Sequence, residues 1–177
     1  RGLAMTEELA TPRALNHIGI TVPDIHAAID WYGKVFGFRR IMGPRRLEPK
    51  LSDTAESGHI LGPRFRKALQ AHLITGNGIG LELFQFLEPE VETPDDNLEY
   101  WKTGVWHLCF TDPDIEGLVA RIVAEGGKQR TDVWAFIPGT DRKLCYCEDP
   151  FGNVIEIFSH SYEQTFANWP DEGRDAE

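Results

Sequence analysis

An internal repeat limits the fold of this 177-residue chain more than any other feature. The segment HIGITVPDIHAAIDWYGKVFGF begins at His17, and the segment HLCFTDPDIEGLVARIVAEGGK begins at His107. The two segments align without a gap, so that one histidine falls on the other and both copies continue into Pro-Asp-Ile. Each copy predicts a short alternating strand, a turn and an amphipathic helix. The chain is therefore expected to contain two copies of one structural unit.

The two predicted helices have clear start signals, and the first has a clear stop signal. Asp24 and Asp114 are suitable N-cap residues, because an aspartate side chain accepts hydrogen bonds from the free amides of a first helical turn. Gly37 follows the first helix, where a glycine commonly ends a helix. Further strand patterns follow each helix. This order predicts an α+β fold made of two pseudo-symmetric βαβββ modules.

The limits of the modules follow from their last strands. Each copy ends in an apolar strand with one central glutamate, IGLELFQF in the first copy and NVIEIFS in the second. Glu82 lies 65 residues after His17, whereas Glu156 lies 49 residues after His107, which predicts an insertion in the first copy. The predicted parts are a first module at 14–90 with an inserted basic loop at 48–67, a linker at 91–103, a second module at 104–160 and a C-terminal tail at 161–177.

The glutamates of the two last strands need partners. An unpaired carboxylate in a buried strand costs several kcal/mol. Strand alternation places Glu82 and Glu156 on the same kind of face as His17 and His107. Two imidazoles and two carboxylates suit one divalent ion such as Zn, Ni, Co, Mn or Fe, and the carboxylates neutralise its charge. The alternative is that each histidine is hydrogen-bonded in the core and each glutamate pairs with an arginine, but the duplication of the pattern favours a shared metal site.

Composition and charge narrow the classes of partner. Apolar residues make up 41 % of the chain and its net charge is −10, which indicates a globular protein and argues against nucleic acid as a partner. No apolar run approaches the roughly 18 residues that span a bilayer, and the N-terminal segment lacks the apolar core of a secretory signal. Three cysteines, an odd number, fit reduced thiols. These features predict a cytoplasmic protein that binds a small molecule and no membrane.

A basic segment interrupts this acidic chain. Between Lys34 and Lys67 lie nine of the 18 basic residues, opposed by three acidic ones. Since arginine binds carboxylate or phosphate at two points, the segment is interpreted as a flap that captures an anionic substrate, framed by Gly43-Pro44 and Gly62-Pro63. The alternative is a solvated loop. The residues predicted to bind substrate are Arg45, Arg46, Arg64, Arg66 and Lys67, with His72 on a nearby strand.

The repeat, together with EDPFGNVIEIF and GVWHLCF, resembles the vicinal-oxygen-chelate superfamily, which includes glyoxalase I, bleomycin-resistance proteins and extradiol dioxygenases. The resemblance implies that the two modules form a cup-shaped mixed sheet around one metal ion. It also implies that the ligands come from the first and last strands of each module. These positions are His17, Glu82, His107 and Glu156, and all four match the pattern of glyoxalase I.

This resemblance implies a metal-dependent lyase or isomerase of the glyoxalase type. Such an enzyme moves a proton through a metal-stabilised enediolate of a small carbonyl substrate, and the basic segment indicates that this substrate is anionic. The expected proton shuttle is Glu156, and Glu82 is expected to share this role. The resemblance also implies a homodimer, with the cup closed either within one chain or by exchange of modules between two chains.

Two other functions remain open at this stage. The first is an Fe(II) extradiol-type dioxygenase, in which His17, His107 and Glu156 hold the iron and either Tyr146 or His160 supplies an acid. The second is a metal-free protein that binds a small molecule, as drug-resistance members of the superfamily do.

Overall fold

The computed structural model describes residues 10–49 and 60–167. The middle of the predicted basic loop (50–59) and the end of the predicted C-terminal tail (168–177) lie outside the described residues. No helix in the described ranges is long and apolar enough to cross a membrane.

The first module is a four-stranded mixed sheet with one long helix. In this sheet β1 is parallel to β4, and the spatial order of the strands is β1-β4-β3-β2. The elements are β1 (His17–Thr21), α1 (Ile25–Phe36), β2 (Arg39–Leu47), β3 (Lys67–Ile74) and β4 (Gly80–Glu88).

The second module repeats this order, with one strand divided in two. Its strands lie in the order β5-β9-β8-β6, and β7 also pairs with β8. Because β6 and β7 pair with opposite ends of β8, together they take the place that β2 has in the first module. The elements are β5 (Leu108–Thr111), α2 (Ile115–Ala124), β6 (Lys128–Gln129), β7 (Trp134–Ala135), β8 (Lys143–Glu148) and β9 (Val154–Phe158), followed by α3 (Tyr162–Phe166).

The structure confirms the α+β class and the two βαβββ modules. The side chain of Asp24 accepts hydrogen bonds from two amides of the first turn of α1, and Gly37 ends that helix with a φ of 68°. Asp114 caps α2 in the same way, through the amide of Gly117. Val123 in the last turn of α2 is 48 % exposed. It lies at the margin of the apolar stripe, where the end of the helix projects past the core.

The two modules share one core on the side of their helices. The indole of Trp31 in α1 donates a hydrogen bond of 3.0 Å to the carbonyl of Glu125, just after α2. The hydroxyl of Tyr32 donates at 2.7 Å to the carboxylate of Asp149 in the turn before β9. These bonds cross from one module to the other, and one large cluster of buried apolar residues has members from both modules.

The two sheets remain separate. β1 and β5 are each the edge strand of their own sheet, and the sheet pairing does not join them. A cavity of about 710 Å³ lies between these two edges, and Ile18 of β1 and Leu108 of β5 both line it. Each module therefore contributes its own mixed sheet to the fold.

The beginning of the predicted flap belongs to the sheet. Gly43 and Pro44 lie inside β2, where the pairing with β3 shifts its register twice. Gly43 has a φ of 81°, and a Cβ atom there would collide with the carbonyl oxygen of Gln70 and lie 2.9 Å from the Cα of Ala71. The prediction that Gly43-Pro44 frames a flap is wrong, because strand pairing on β3 holds this segment as a bulge.

Candidate metal centre

Parallel pairing of β1 and β4 brings the first histidine and glutamate together. His17 lies opposite Gly80 in the register, and Glu82 lies opposite Gly19. A Cβ atom at position 80 would be 2.9 Å from the Cβ of His17, so glycine is needed for this approach. The imidazole then reaches the carboxylate, with the Nε2 of His17 at 3.5 Å from the Oε2 of Glu82.

The orientation of the His17 ring suits a metal ligand. Its Nδ1 lies 2.7 Å from the Oδ1 of Asn16, which can only accept a hydrogen bond. In the neutral imidazole this contact places the proton on Nδ1 and leaves the lone pair of Nε2 facing Glu82. This is the tautomer that a histidine needs when it binds a cation through Nε2. Sequence reasoning did not identify Asn16, whose only signal is its position next to the histidine.

Two side chains of β3 complete the surroundings of Glu82. The Nε2 of His72 lies 3.6 Å from the Oε1 of Glu82, and it is buried without a hydrogen-bond partner. The amide of Gln70 donates a hydrogen bond to the same oxygen. His72 thus lies beside the carboxylate, on the face where it was predicted to bind substrate, and Gln70 was not predicted.

The second pair has a similar geometry and less exposure. Glu156 lies in the centre of β9 and is 8 % exposed. The Nε2 of His107, which directly precedes β5, lies 3.1 Å from its Oε2. The Nδ1 of His107 is buried and has no partner among the described residues. The Nε2 of His107 and the carboxylate of Glu156 fit a site in which a cation is the further partner.

Aromatic and thiol groups surround this second pair. Tyr146 of β8 and Cys109 of β5 both lie opposite Glu156 in the sheet register. Burial raises the pKa of Tyr146, and the hydrogen bond and negative charge of Glu156 raise it further. Burial also raises the pKa of Cys109, with the charge of Glu156 adding to it. The ring of Trp106 stacks on Tyr146 at 5.7 Å and touches the edge of His107 at 4.0 Å between centroids.

The four predicted ligands do not form one cluster within this chain. In the described part of the chain, the ion pairs of these residues stay within each module. No group of three or more His, Cys, Asp or Glu side chains among the described residues is arranged to hold a metal ion. A single chain therefore presents two half-sites, His17–Glu82 and His107–Glu156.

One of the predicted substrate-binding arginines is connected to a half-site. The Nε of Arg45 donates a hydrogen bond of 2.8 Å to the Oε1 of Gln70. Since Gln70 in turn binds Glu82, a chain of hydrogen bonds runs from β2 to the carboxylate.

The other basic residues of this segment are placed differently. Arg46 pairs with Glu48, and Arg66 donates to backbone carbonyls one and three residues before it. Arg64 is exposed in a turn, and Lys67 is the first residue of β3. The local bonds of Arg46 and Arg66 hold them near their own backbone, and the binding of substrate by Arg46, Arg64, Arg66 and Lys67 stays a prediction.

His160, proposed from sequence as an acid, lies apart from both half-sites. Its Nδ1 is 2.8 Å from the hydroxyl of Ser159, and its Nε2 is 3.7 Å from the carboxylate of Asp141. Tyr146 is the candidate that contacts Glu156.

Comparisons with known proteins agree with this architecture. A family model described as the Glyoxalase/Bleomycin resistance protein/Dioxygenase superfamily matches residues 14–157. The comparison with curated proteins gave no match.

Three solved structures illustrate the range of similar proteins. A glyoxalase family protein from Bacillus cereus is 20 % identical, with a TM-score of 0.65 over 89 % of this chain and 97 % of that chain. Glyoxalase I from Zea mays is 18 % identical, with a TM-score of 0.57 over 83 % of this chain and 44 % of that chain. A mutant of the fosfomycin resistance protein FosX from Listeria monocytogenes, complexed with Mn(II) and a dihydroxypropylphosphonic acid, is 14 % identical, with a TM-score of 0.55 over 87 % of this chain and 95 % of that chain. At these identities the similarity shows a common fold.

Proposed function

Because the chain belongs to the glyoxalase/bleomycin resistance protein/dioxygenase superfamily, we propose that it is a divalent-metal-dependent lyase or isomerase of the glyoxalase type. The observation that carries this proposal is the pair of matched half-sites. In each module a histidine Nε2 faces the carboxylate of a largely shielded glutamate, at 3.5 Å in the first and 3.1 Å in the second. A protein that only binds an organic molecule has no need for two such pairs.

The residues that would hold the ion are His17, Glu82, His107 and Glu156. A divalent ion at this centre supplies a Lewis acid that polarises a substrate carbonyl and makes the neighbouring C–H bond more acidic. The Mn(II) in the FosX structure supports a divalent ion in this fold. The choice among Zn, Ni, Co, Mn and Fe is open, since nitrogen and oxygen ligands accept all of them.

Glu156 is the proposed proton shuttle. It is the more buried of the two glutamates, with 11 % of its side chain exposed against 15 % for Glu82. A general base must lie within hydrogen-bond reach of the proton that it takes, and shielding from bulk water protects that transfer. Glu156 takes the proton from carbon and returns it to the neighbouring position. Tyr146 and His107 surround the carboxylate and limit the directions from which a substrate reaches it.

Glu82 is proposed to act mainly as a fixed ligand. The hydrogen bond from Gln70 occupies one of its oxygens and restricts its rotation. A carboxylate held in this way binds a cation in a constant geometry.

The complete site is proposed to form in a homodimer. The two half-sites of one chain remain apart, and the edge strands β1 and β5 have free edges toward the gap between the sheets. If the first module of one chain joins the second module of its partner, each dimer has two complete sites. In this arrangement a single chain alone would be inactive.

Metal-loaded protein in deuterated solvent provides the test. The protein is loaded separately with each of the five ions and incubated with methylglyoxal plus glutathione, or with an epimerisable 2-methyl-3-oxoacyl thioester. Turnover with deuterium entering the carbon next to the carbonyl is the expected result, and NMR measures it. Turnover without deuterium uptake would contradict proton transfer through solvent-exchangeable Glu156, and protein that retains no metal when folded would favour the metal-free alternative.

A second candidate, an extradiol-type dioxygenase, is favoured by one observation. Tyr146 places a phenol beside Glu156, where its hydroxyl would serve as the acid that such a dioxygenase needs. Oxygen consumption with catechols after anaerobic loading with Fe(II) distinguishes the two. Oxygen uptake that disappears in Tyr146→Phe would support the dioxygenase.

A further inference from the structure

We infer that Arg45 binds an anionic group of the substrate and that Gln70 positions both Arg45 and Glu82. Because this arrangement holds the anion-binding group close to the metal centre, the substrate is a compact acid whose chelating oxygens lie close to its carboxylate. This inference rests on the proposed function, because it assigns a binding residue to the end of the substrate that does not face the metal centre. It concerns Arg45, one of the five basic residues predicted to bind substrate, which lies on the strand β2.

The direction of each hydrogen bond in the chain is determined by chemistry. The guanidinium of Arg45 can only donate, so the atom of Gln70 that it contacts must be the carbonyl oxygen Oε1. The amide nitrogen of Gln70 is then turned toward Glu82, which as a carboxylate can only accept. Gln70 has a single orientation that satisfies both neighbours, and it is 7 % exposed. The anion-binding and metal-binding groups are therefore held relative to one another.

The Arg45 guanidinium keeps donors for a ligand. It uses Nε for Gln70, and no described residue forms an ion pair with it. Arg45 is exposed on the edge strand β2, so its two terminal nitrogens are accessible from solvent. A guanidinium in this arrangement binds a carboxylate or a phosphate through two parallel hydrogen bonds.

The chain of bonds limits the length of the substrate. One planar amide and two hydrogen bonds separate Glu82 from Arg45, so their charged groups lie within about 8 Å of each other. A ligand whose oxygens face the metal centre therefore reaches Arg45 with a carboxylate about three to five bonds away. Beyond Arg45, the buried cluster of Leu47, Phe65 and Ala68 closes this end of the sheet face. This length corresponds to a small hydroxy acid or keto acid.

The opposite interpretation gives a different result. If Arg45 only braces Gln70, then replacing it changes charged and uncharged ligands equally. A matched pair of metal-chelating probes separates the two interpretations. The charged probe is succinic acid monohydroxamate, and the uncharged probe of similar size is butyrohydroxamate.

The experiment measures both probes by calorimetry on the full-length protein loaded with Co(II). The carboxylated probe is expected to bind about ten- to a hundredfold more tightly than the neutral one, as for a hydrogen-bonded charge pair. Arg45→Met should abolish this preference and leave the neutral probe nearly unchanged. Arg45→Lys, which keeps the charge and loses the two-point geometry, should retain part of it.

Arg40→Met is the matched control. It removes the same charge from the same strand, but Arg40 lies opposite Leu73, whose side chain belongs to the core on the other face. It should leave the preference intact. Equal binding of both probes to the unmodified protein, or a preference that survives in Arg45→Met, would overturn the role of Arg45 and leave the metal centre standing. Failure of both probes to bind and to change the visible Co(II) spectrum would overturn the metal centre and this inference with it.

Discussion

The two half-sites have the same histidine–glutamate pair in different surroundings. In the first module, polar side chains of β3 surround Glu82, and a hydrogen-bond chain connects it to Arg45. In the second module, Glu156 lies deeper, next to the phenol of Tyr146 and close to an aromatic stack. His17 is also more open than His107, with 51 % of its side chain exposed against 26 %.

This difference suggests a division of roles between two copies of one unit. The hydrogen bond from Gln70 favours the role of a fixed ligand for Glu82, whereas the more buried Glu156 lies next to the phenol of Tyr146, where a proton can be exchanged. We expect the first module to hold the ion and the anionic end of the substrate. The second module is expected to carry out the proton transfer.

The largest expected effect is a difference in kcat between variants of the two glutamates. Glu156→Gln removes the proposed base and should lower kcat about a thousandfold, within the usual range for a positioned general base. Glu82→Gln keeps a ligand oxygen and should cost about tenfold, mainly through weaker metal binding. Steady-state kinetics with the substrate that exchanges deuterium provides the measurement. Equal losses in kcat at saturating metal would show that both modules share the proton transfer.

Mixing two inactive variants should restore activity if the half-sites combine across a dimer. His17→Ala damages the first half-site and Glu156→Gln the second. After unfolding and refolding together, half of the dimers are mixed and each has one intact site, so about a quarter of the original activity is expected. Each variant refolded alone is the control. If the mixture recovers no activity although light scattering confirms that dimers have formed, the whole site lies within one chain.

Neighbours of the two carboxylates should differ in their effect on metal affinity. Gln70→Leu removes the hydrogen bond that orients Glu82 and should weaken metal binding about tenfold or more, as other outer partners of ligands do. Tyr146→Phe should leave metal affinity nearly unchanged and act on turnover. Competition with a chromogenic chelator measures both affinities. If Tyr146→Phe binds metal more weakly than Gln70→Leu does, the roles proposed for the two modules are the wrong way round.

The smallest expected effect concerns the contact between the modules. Tyr32 donates to Asp149, which is 2 % exposed and also accepts from the amide groups of Phe151 and Asn153. Tyr32→Phe should lower the free energy of unfolding by about 1–2 kcal/mol. Urea unfolding measures it, and Tyr162→Phe at an exposed position is the control.

The cost of Tyr32→Phe should depend on pH. Burial raises the pKa of Asp149, and the hydrogen bond from Tyr32 opposes this rise, so removing the hydroxyl raises that pKa further. The variant therefore loses most stability where Asp149 is ionised, and the loss shrinks as the pH falls through the raised pKa of the folded state. A loss that stays constant between neutral pH and about pH 4 would mean that the phenol does not favour the ionised carboxylate.

Much of the fold could be predicted from the sequence, because the repeated segments contain signals that depend on local conformational preferences. Alternating strands, aspartate caps and the glycine after α1 depend on neighbours in the chain. The faces of His17 and Glu82 were predictable for the same reason, since side chains alternate along any strand. Gln70 and Arg45 were harder, because their relation depends on the pairing of β2 with β3. Two register shifts place Arg45 opposite Gln70, where an unshifted pairing that continues from Arg40 and Leu73 would place Gly43.

The sequence by itself determined that this protein has two βαβββ units and that each carries one histidine and one glutamate on a common face. Only the tertiary structure decided which side chains surround each pair, that the units pack through their helices, and that the two sheets of one chain stay apart. The physical reason is the range of the forces involved. Alternation and capping act over a few residues, whereas strand register and module packing depend on contacts between residues distant in the chain, such as Tyr32 and Asp149.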